Sequence, residues 1–179
     1  MRNIIAGLFI SLDGVAEAPG TWHFPYFNDE MGGAVEAIWS RSDTMLLGRK
    51  SWQEFASYWP EHPEADGADV MNGTPKLVVS NTLDQVDAWQ NSSLLKGDPI
   101  EALTELKQGP GRDISISGSL TLTRSLLRAK LIDELHLLIH PIALGSGARL
   151  FDGGDHIPLE LVSCTPFSTG VLHTVYRSA

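Results

Sequence analysis

The sequence carries a single cysteine, Cys164, in 179 residues. One thiol cannot build an internal disulfide framework, and it cannot supply a multi-cysteine zinc site. Within its apolar surroundings, Cys164 reads as a small buried hydrophobe. No apolar run reaches the roughly 18 residues of a membrane-spanning helix. Residues 4–10, preceded by Arg2 and followed by Ala16-Glu17-Ala18, imitate a secretory signal. Gly7 interrupts that run and Asp13 follows at once, so it reads instead as a β-strand ending in a turn, and the cytoplasm is the expected compartment. Positive charge is also scarce. Thirteen Lys and Arg stand against 22 Asp and Glu, a net charge of −9. That balance does not suit a non-specific nucleic-acid binder or a protein that lies on an anionic membrane. Neither a G-x-G-x-x-G fingerprint nor a G-x-x-x-x-G-K-[ST] loop is present, which disfavours the standard dinucleotide and P-loop folds.

What is present is an ordinary globular mixture, 42% apolar and 20% charged, at a length that suits one domain over residues 1–179. Residues 3–11 are apolar and β-branched and end at Asp13-Gly14, the pattern of a buried strand. Asn28 fits a helix cap, with Asp29 and Glu30 in the first turn where the helix dipole favours acids. Residues 44–47 read as a short strand, and 51–58 as a helix in which Ser51 and Glu54 fit a capping box. Residues 60–73 are polar and rich in Pro and Gly, which suggests a mobile loop. Residues 76–80 and a stretch within 86–95 read as strands. Asp98-Pro99 starts a helix that Gly109 ends. Residues 114–117 form a strand leading through Gly118 into a helix, and 134–144 a long strand. Residues 159–163 and 171–177 could pair as an antiparallel ribbon. Strands alternating with helices and then a run of strands imply an α/β fold in three layers. The central sheet would be mostly parallel, with antiparallel strands at its C-terminal edge and helices on both faces. Ligands of such sheets bind at the carboxyl ends of the strands.

Three strand ends carry chemistry. Gly48-Arg49-Lys50-Ser51 runs from strand into helix with two cations. Ser80-Asn81 ends another strand in a hydroxyl and an amide. Gly118-Ser119-Leu120 repeats the glycine-to-helix turn. A helix N-terminus offers unpaired N–H groups and a partial positive charge, glycine lets an anion approach the backbone, and Arg49 can grip a phosphate bidentately. Each turn taken singly could equally be a tight turn or a cap. Asp13 is a candidate for proton relay or substrate orientation, or simply the side chain of an Asp-Gly turn. Trp22 and Phe24 are candidates to wall a flat ligand, whereas Trp52 suits the core. His136 and His140 fall on one face of a strand, where surface or core is the simpler reading than metal. Residues 152–156 include metal-capable types in a glycine-rich loop.

Gly48-Arg49-Lys50-Ser51-Trp52, the strand ending in Ser80-Asn81, and the strand–Gly118–helix unit resemble the corresponding segments of dihydrofolate reductases. Ser11-Leu12-Asp13-Gly14, Asp133-Glu134-Leu135, Pro141, Leu144-Gly145-Ser146-Gly147 and Leu150-Phe151 are more similar to the reductase domain of bacterial riboflavin biosynthesis and its stand-alone relatives. The resemblance implies a dihydrofolate reductase-like fold and NADPH as cofactor. Gly48, Arg49, Lys50 and Ser51 would hold phosphates. Arg49, Ser80 and Asn81 would surround the adenosine ribose and its 2′-phosphate. Gly118, Ser119 and Leu120 would contact the pyrophosphate, and Ala6 would lie beside the nicotinamide. Asp29 stands about two residues later than the folate reductases' acid and is the second candidate acid with Asp13. The expected reaction is reduction of a flat nitrogen heterocycle, such as a phosphoribosylamino-uracil or a pterin. The alternative is a non-catalytic nucleotide- or pterin-binding regulatory module. A homodimer through the late antiparallel strands is the expected assembly.

Overall fold

A strand made of Ile, Ala, Leu and Phe without polar alternation has to be covered on both faces. β1 (Ile4–Ser11) meets that demand by lying inside an eight-stranded sheet in the order β4-β3-β2-β5-β1-β6-β8-β7. The other strands are β2 (Ser42–Gly48), β3 (Lys76–Val79), β4 (Ser92–Leu95), β5 (Asp113–Ser117), β6 (Glu134–His140), β7 (Leu159–Pro166) and β8 (Leu172–Ser178). This is a computed structural model, and it describes residues 1–154 and 156–179. β1 to β6 pair in parallel, β8 pairs antiparallel with both β6 and β7, and so β8 alone runs against the rest among the described residues. The carboxyl ends of β1 to β6 therefore share one edge.

The helices are α1 (Asp29–Arg41), α2 (Arg49–Ala56), α3 (Ala68–Gly73), α4 (Pro99–Gln108) and α5 (Leu120–Arg128). Leu103 of α4 and Leu122, Leu126 and Leu127 of α5 cover one face, against Ile4, Ala6, Leu8, Ile114, Ile116 and Leu135. α2 and α3 cover the other face through Trp52 and Met71, and α1 through Met31. α1 lies so close to β1 that a Cβ at Gly7 would come 3.1 Å from Ile38 Cδ1. The expected caps form: Asn28 Oδ1 accepts from the Met31 N–H at 3.0 Å, and Asp98 Oδ1 from the Ile100 N–H at 2.9 Å. No described helix is long and apolar enough to cross a membrane.

Four expectations need correction. Residues 60–73 are structured: α3 buries Ala68 and Met71, and the side chain of Asn72 accepts from Trp89 Nε1 at 2.6 Å and donates to the Trp59 carbonyl at 3.0 Å. A polar composition hid two apolar anchors. The strand expected over 134–144 stops at His140, because Pro141 has no N–H to continue the ladder. Ser51 makes no capping box; it sits inside the first turn of α2, and Gly48 is the cap residue. Cys164 is exposed. It lies on β7, an edge strand whose residues from Glu160 to Pro166 are all exposed, so neither face offers it a core.

Candidate functional site

The register of β2 against β5 pairs Leu46 with Ile116, which brings the turns that follow them side by side. The two turns are locked together. Ser119 Oγ accepts from the Gly48 N–H at 2.8 Å, and Ser51 Oγ accepts from the Ser119 N–H at 2.9 Å. A Cβ at Gly118 would lie 3.3 Å from Ser51 Oγ on a backbone at φ +70°, so both space and conformation select glycine there. Ser119 is itself left-handed at φ 54°, which costs a non-glycine residue about 1 kcal/mol. Its hydrogen bond to Gly48 offsets that cost and points its side chain at β2, which is how the turn accepts a Cβ.

α2 and α5 start from these turns, and neither is capped by a side chain, unlike α1 and α4. Arg49 and Lys50 are exposed beside them. Neither enters an ion pair among the described residues. Just past the neighbouring strand, β3, Ser80 Oγ accepts from the N–H groups of Thr82 and Leu83 at 3.2 and 3.1 Å. Asn81 Oδ1 accepts from the Gly97 N–H at 2.7 Å. Ser80 shapes the start of the β3–β4 connection, and Asn81 ties it to the segment that follows β4.

The ends of β1 and β6 are built differently. Asp13 accepts from Ser11 Oγ at 2.6 Å, from the Leu144 N–H at 3.0 Å and from the Gly145 N–H at 2.8 Å, and Arg149 lies 3.5 Å away. The Ser11 hydroxyl, followed by the two backbone donors, holds the Asp13 carboxyl far below its ordinary range. The side chain thus fastens the turn after β1 to the segment after β6. Between these segments and α2 lies a cleft of about 420 Å³, lined by Val15, Glu17, Thr21, Trp22, Glu54 and Leu144, among others. Trp22 is fixed by donating Nε1 to the Glu17 carbonyl at 3.1 Å, and its ring stands edge-on to His140 at 5.1 Å. His140 is fully buried and bonds the Leu138 carbonyl through Nδ1 at 2.8 Å. His23 stacks on Phe9 at 4.5 Å. His23 Nδ1 and His140 Nε2 have no hydrogen-bond partner among the described residues. Burial pushes both imidazoles below their ordinary range.

The family model of the RibD C-terminal domain matches residues 2–173. The chain belongs to the RibD C-terminal domain family. It is 33% identical to the uncharacterised protein YyaP of Bacillus subtilis strain 168 over 183 residues, covering 98% of this chain and 95% of that protein. Its fold matches a putative riboflavin biosynthesis protein from Shewanella sp. PV-4 with a TM-score of 0.80 at 23% identity, covering 100% and 99% of the two chains. It also matches dihydrofolate reductase from Enterococcus faecalis, solved with NADP(H), with a TM-score of 0.64 at 16% identity, covering 98% and 96%. A RibD C-terminal domain thus shares its mostly parallel sheet and flanking helices with dihydrofolate reductase.

In this RibD C-terminal domain, Gly48, Arg49, Lys50, Ser51, Gly118, Ser119 and Leu120 come together at adjacent strand ends, with Ser80 and Asn81 just past the end of β3 beside them. Trp22 lines the cleft. Four candidates stand elsewhere or do other work. Ala6 is fully buried in mid-strand, paired with Ile116 and Leu135. Phe24 is 66% exposed, and its ring lies on His23 rather than on the cleft. Asp29 is exposed in the first turn of α1 and does not line the cleft. Asp13 is the turn brace just described. His136 shares a face with His140 and bonds Glu134 and His173, each at 3.0 Å. In the 152–156 stretch, Asp155 lies outside the described residues and Asp152 pairs with Arg124. No group of three metal-capable side chains occurs among the described residues. The sequence reading gave Glu54, Glu17 and His23 no part in a site, and it placed His140 on the sheet surface or in the core, where it is fully buried. Glu54 stands one helical turn past Ser51 and was legible by that spacing; the two imidazoles come together only through the fold.

Proposed function

We propose that this chain is an NADPH-dependent reductase of a flat nitrogen heterocycle. The observation that carries the reading is the pair of interlocked turns at β2 and β5. Two helix N-termini without side-chain caps stand together there, beside two cations that enter no ion pair among the described residues, on a chain of net charge −9. That arrangement suits an anionic cofactor far better than the surface as a whole does. Arg49 and Lys50 would meet phosphate charge, and the backbone at Gly48 and Gly118 allows close approach. Ser80 and Asn81 hold the neighbouring segments in shape. Trp22 offers a flat wall for a ring. When bound, NADPH would supply the hydride; the protein's share is to bind, orient and shield.

A second reading is favoured by one observation. Asp13 is held ionised by its donors and Asp29 is exposed outside the cleft, so neither acid of the resemblance is set up to hand over a proton. That supports a binding module that keeps the fold without turnover. Calorimetric titration with NADPH and NADH, followed by NADPH oxidation with a panel of pyrimidines and pterins, separates the two. Saturable NADPH binding with turnover supports the reductase; binding without turnover supports the module; no binding ends the cofactor assignment.

β7 supports a homodimer. An exposed eight-residue edge strand carrying Leu161 and Val162, each more than half exposed, is a template for strand pairing. The proposed partner is a second copy of this chain.

A further inference from the structure

Glu54 belongs to the helix that begins at the anion-friendly turn, but it faces something else. It follows Lys50 by four residues and Ser51 by three, one turn along α2, and there it lines the cleft with Trp22. Charge therefore reverses within one helical turn, from two cations to a carboxylate. The second carboxylate of the cleft, Glu17, accepts from the Ala148 N–H at 2.9 Å and is fixed in place. Thr21 and Ser146 complete the polar lining, and among the described residues no lysine or arginine contributes to it.

We propose that this cleft selects a flat heterocycle presenting an edge of N–H donors and bearing no phosphate of its own, with Glu54 as the residue that determines the preference. The inference deepens the proposed reductase reading and rests on it for the identity of the site. A carboxylate has only acceptors, so it pairs with an amino group and adjacent ring N–H in the two-pronged manner of a guanidinium fork. Trp22 supplies the face against which a planar ring stacks. A phosphate brought into the same volume would face two carboxylates without a cation to offset them, so a phosphorylated ribosyl-pyrimidine is disfavoured and its dephosphorylated form accepted.

The test is calorimetric titration of the intact protein, with and without saturating NADPH, using 2,4-diaminopyrimidine, cytidine and cytidine 5′-monophosphate. The expected order of affinity is diaminopyrimidine first, cytidine second and the monophosphate last. Glu54→Gln should weaken the diaminopyrimidine about tenfold, the scale of one charge-assisted hydrogen bond. Glu54→Lys should reverse the order of the two cytidine compounds. Glu54 is exposed on α2, so both variants should fold as the parent does, which circular dichroism checks. The proposal is overturned if the monophosphate binds as tightly as cytidine, if Glu54→Gln leaves the diaminopyrimidine unchanged, or if none of the three binds. Loss of NADPH binding with the pyrimidine order intact would remove the cofactor assignment and leave the cleft's preference standing.

Discussion

The two ends of the sheet treat charge in opposite ways. At the amino end the charges of Arg2, Arg41 and Lys107 are each matched by an acid. Arg2, nearly buried, pairs with Asp43 and donates to Thr44 Oγ1 at 2.8 Å and to the Arg112 carbonyl at 2.7 Å. Lys107 donates to Asp133 at 2.6 Å, and Asp133 also accepts from the Ile4 N–H at 2.7 Å. Arg41 forks onto Glu134 at 2.9 and 3.0 Å and reaches Asp113. At the carboxyl end Arg49 and Lys50 are exposed and enter no ion pair among the described residues, while Glu54 lines an open cleft. The amino end uses charge to close the structure, and the carboxyl end leaves charge over for ligands. Changes at the first should alter stability without altering binding; changes at the second should do the reverse.

The largest expected effect lies at the amino end. Asp133→Ala takes an acceptor from the Ile4 N–H and from the Lys107 ammonium, which keeps only the Leu131 carbonyl; because Asp133 is partly exposed, the expected cost is about 2 kcal/mol in urea unfolding. NADPH affinity of the folded variant should be unchanged. Arg49→Ala is the mirror image. It should weaken NADPH by about tenfold or more, weaken NADH much less, and shift stability by no more than about 0.5 kcal/mol. Equal losses for the two cofactors would remove Arg49 from the 2′-phosphate. A large stability loss would erase the contrast between the ends.

How much of this contrast was legible depends on how local its cause is. The caps at Asn28 and Asp98 are set by neighbours within three residues and form where the sequence places them; the glycine-to-helix turns at Gly48 and Gly118 also form, but the hydrogen bond that locks them together joins residues 71 positions apart. The role of Asp13 required knowing that Leu144 and Gly145, some 131 residues on, would come to it. The reversal of charge at Glu54 needed the cleft, which loops from β1 and β6 complete. Cys164 went astray because an apolar run cannot by itself reveal that its strand lies at an edge.

Acid sharpens the comparison further. His23, His140 and His173 are all held below the ordinary histidine value of 6.5, chiefly by burial. The unfolded chain therefore binds protons before the folded one does. Stability is fully present above pH 6.5 and falls as pH drops from there toward the depressed folded values. Glu134, held low chiefly by Arg41, behaves as a salt-bridged carboxylate and loses its contribution only as pH falls through the ordinary carboxylate range. Urea midpoints at pH 7 and 5.5 should differ, and His140→Phe should shrink that difference. An unchanged pH slope in His140→Phe would mean that the buried imidazole is not kept neutral.

The smallest effect is expected at Cys164. Its side chain is exposed on β7, so Cys164→Ser should change stability by no more than about 0.5 kcal/mol, where a buried thiol would have cost more. The same residue reports on the proposed homodimer. If a second copy covers β7, a thiol reagent should react slowly with the native protein at high concentration, and the rate should rise on dilution toward that of the denatured chain. A rate that is fast and independent of concentration would leave β7 uncovered and the protein a monomer, and the proposed strand pairing would fall with it.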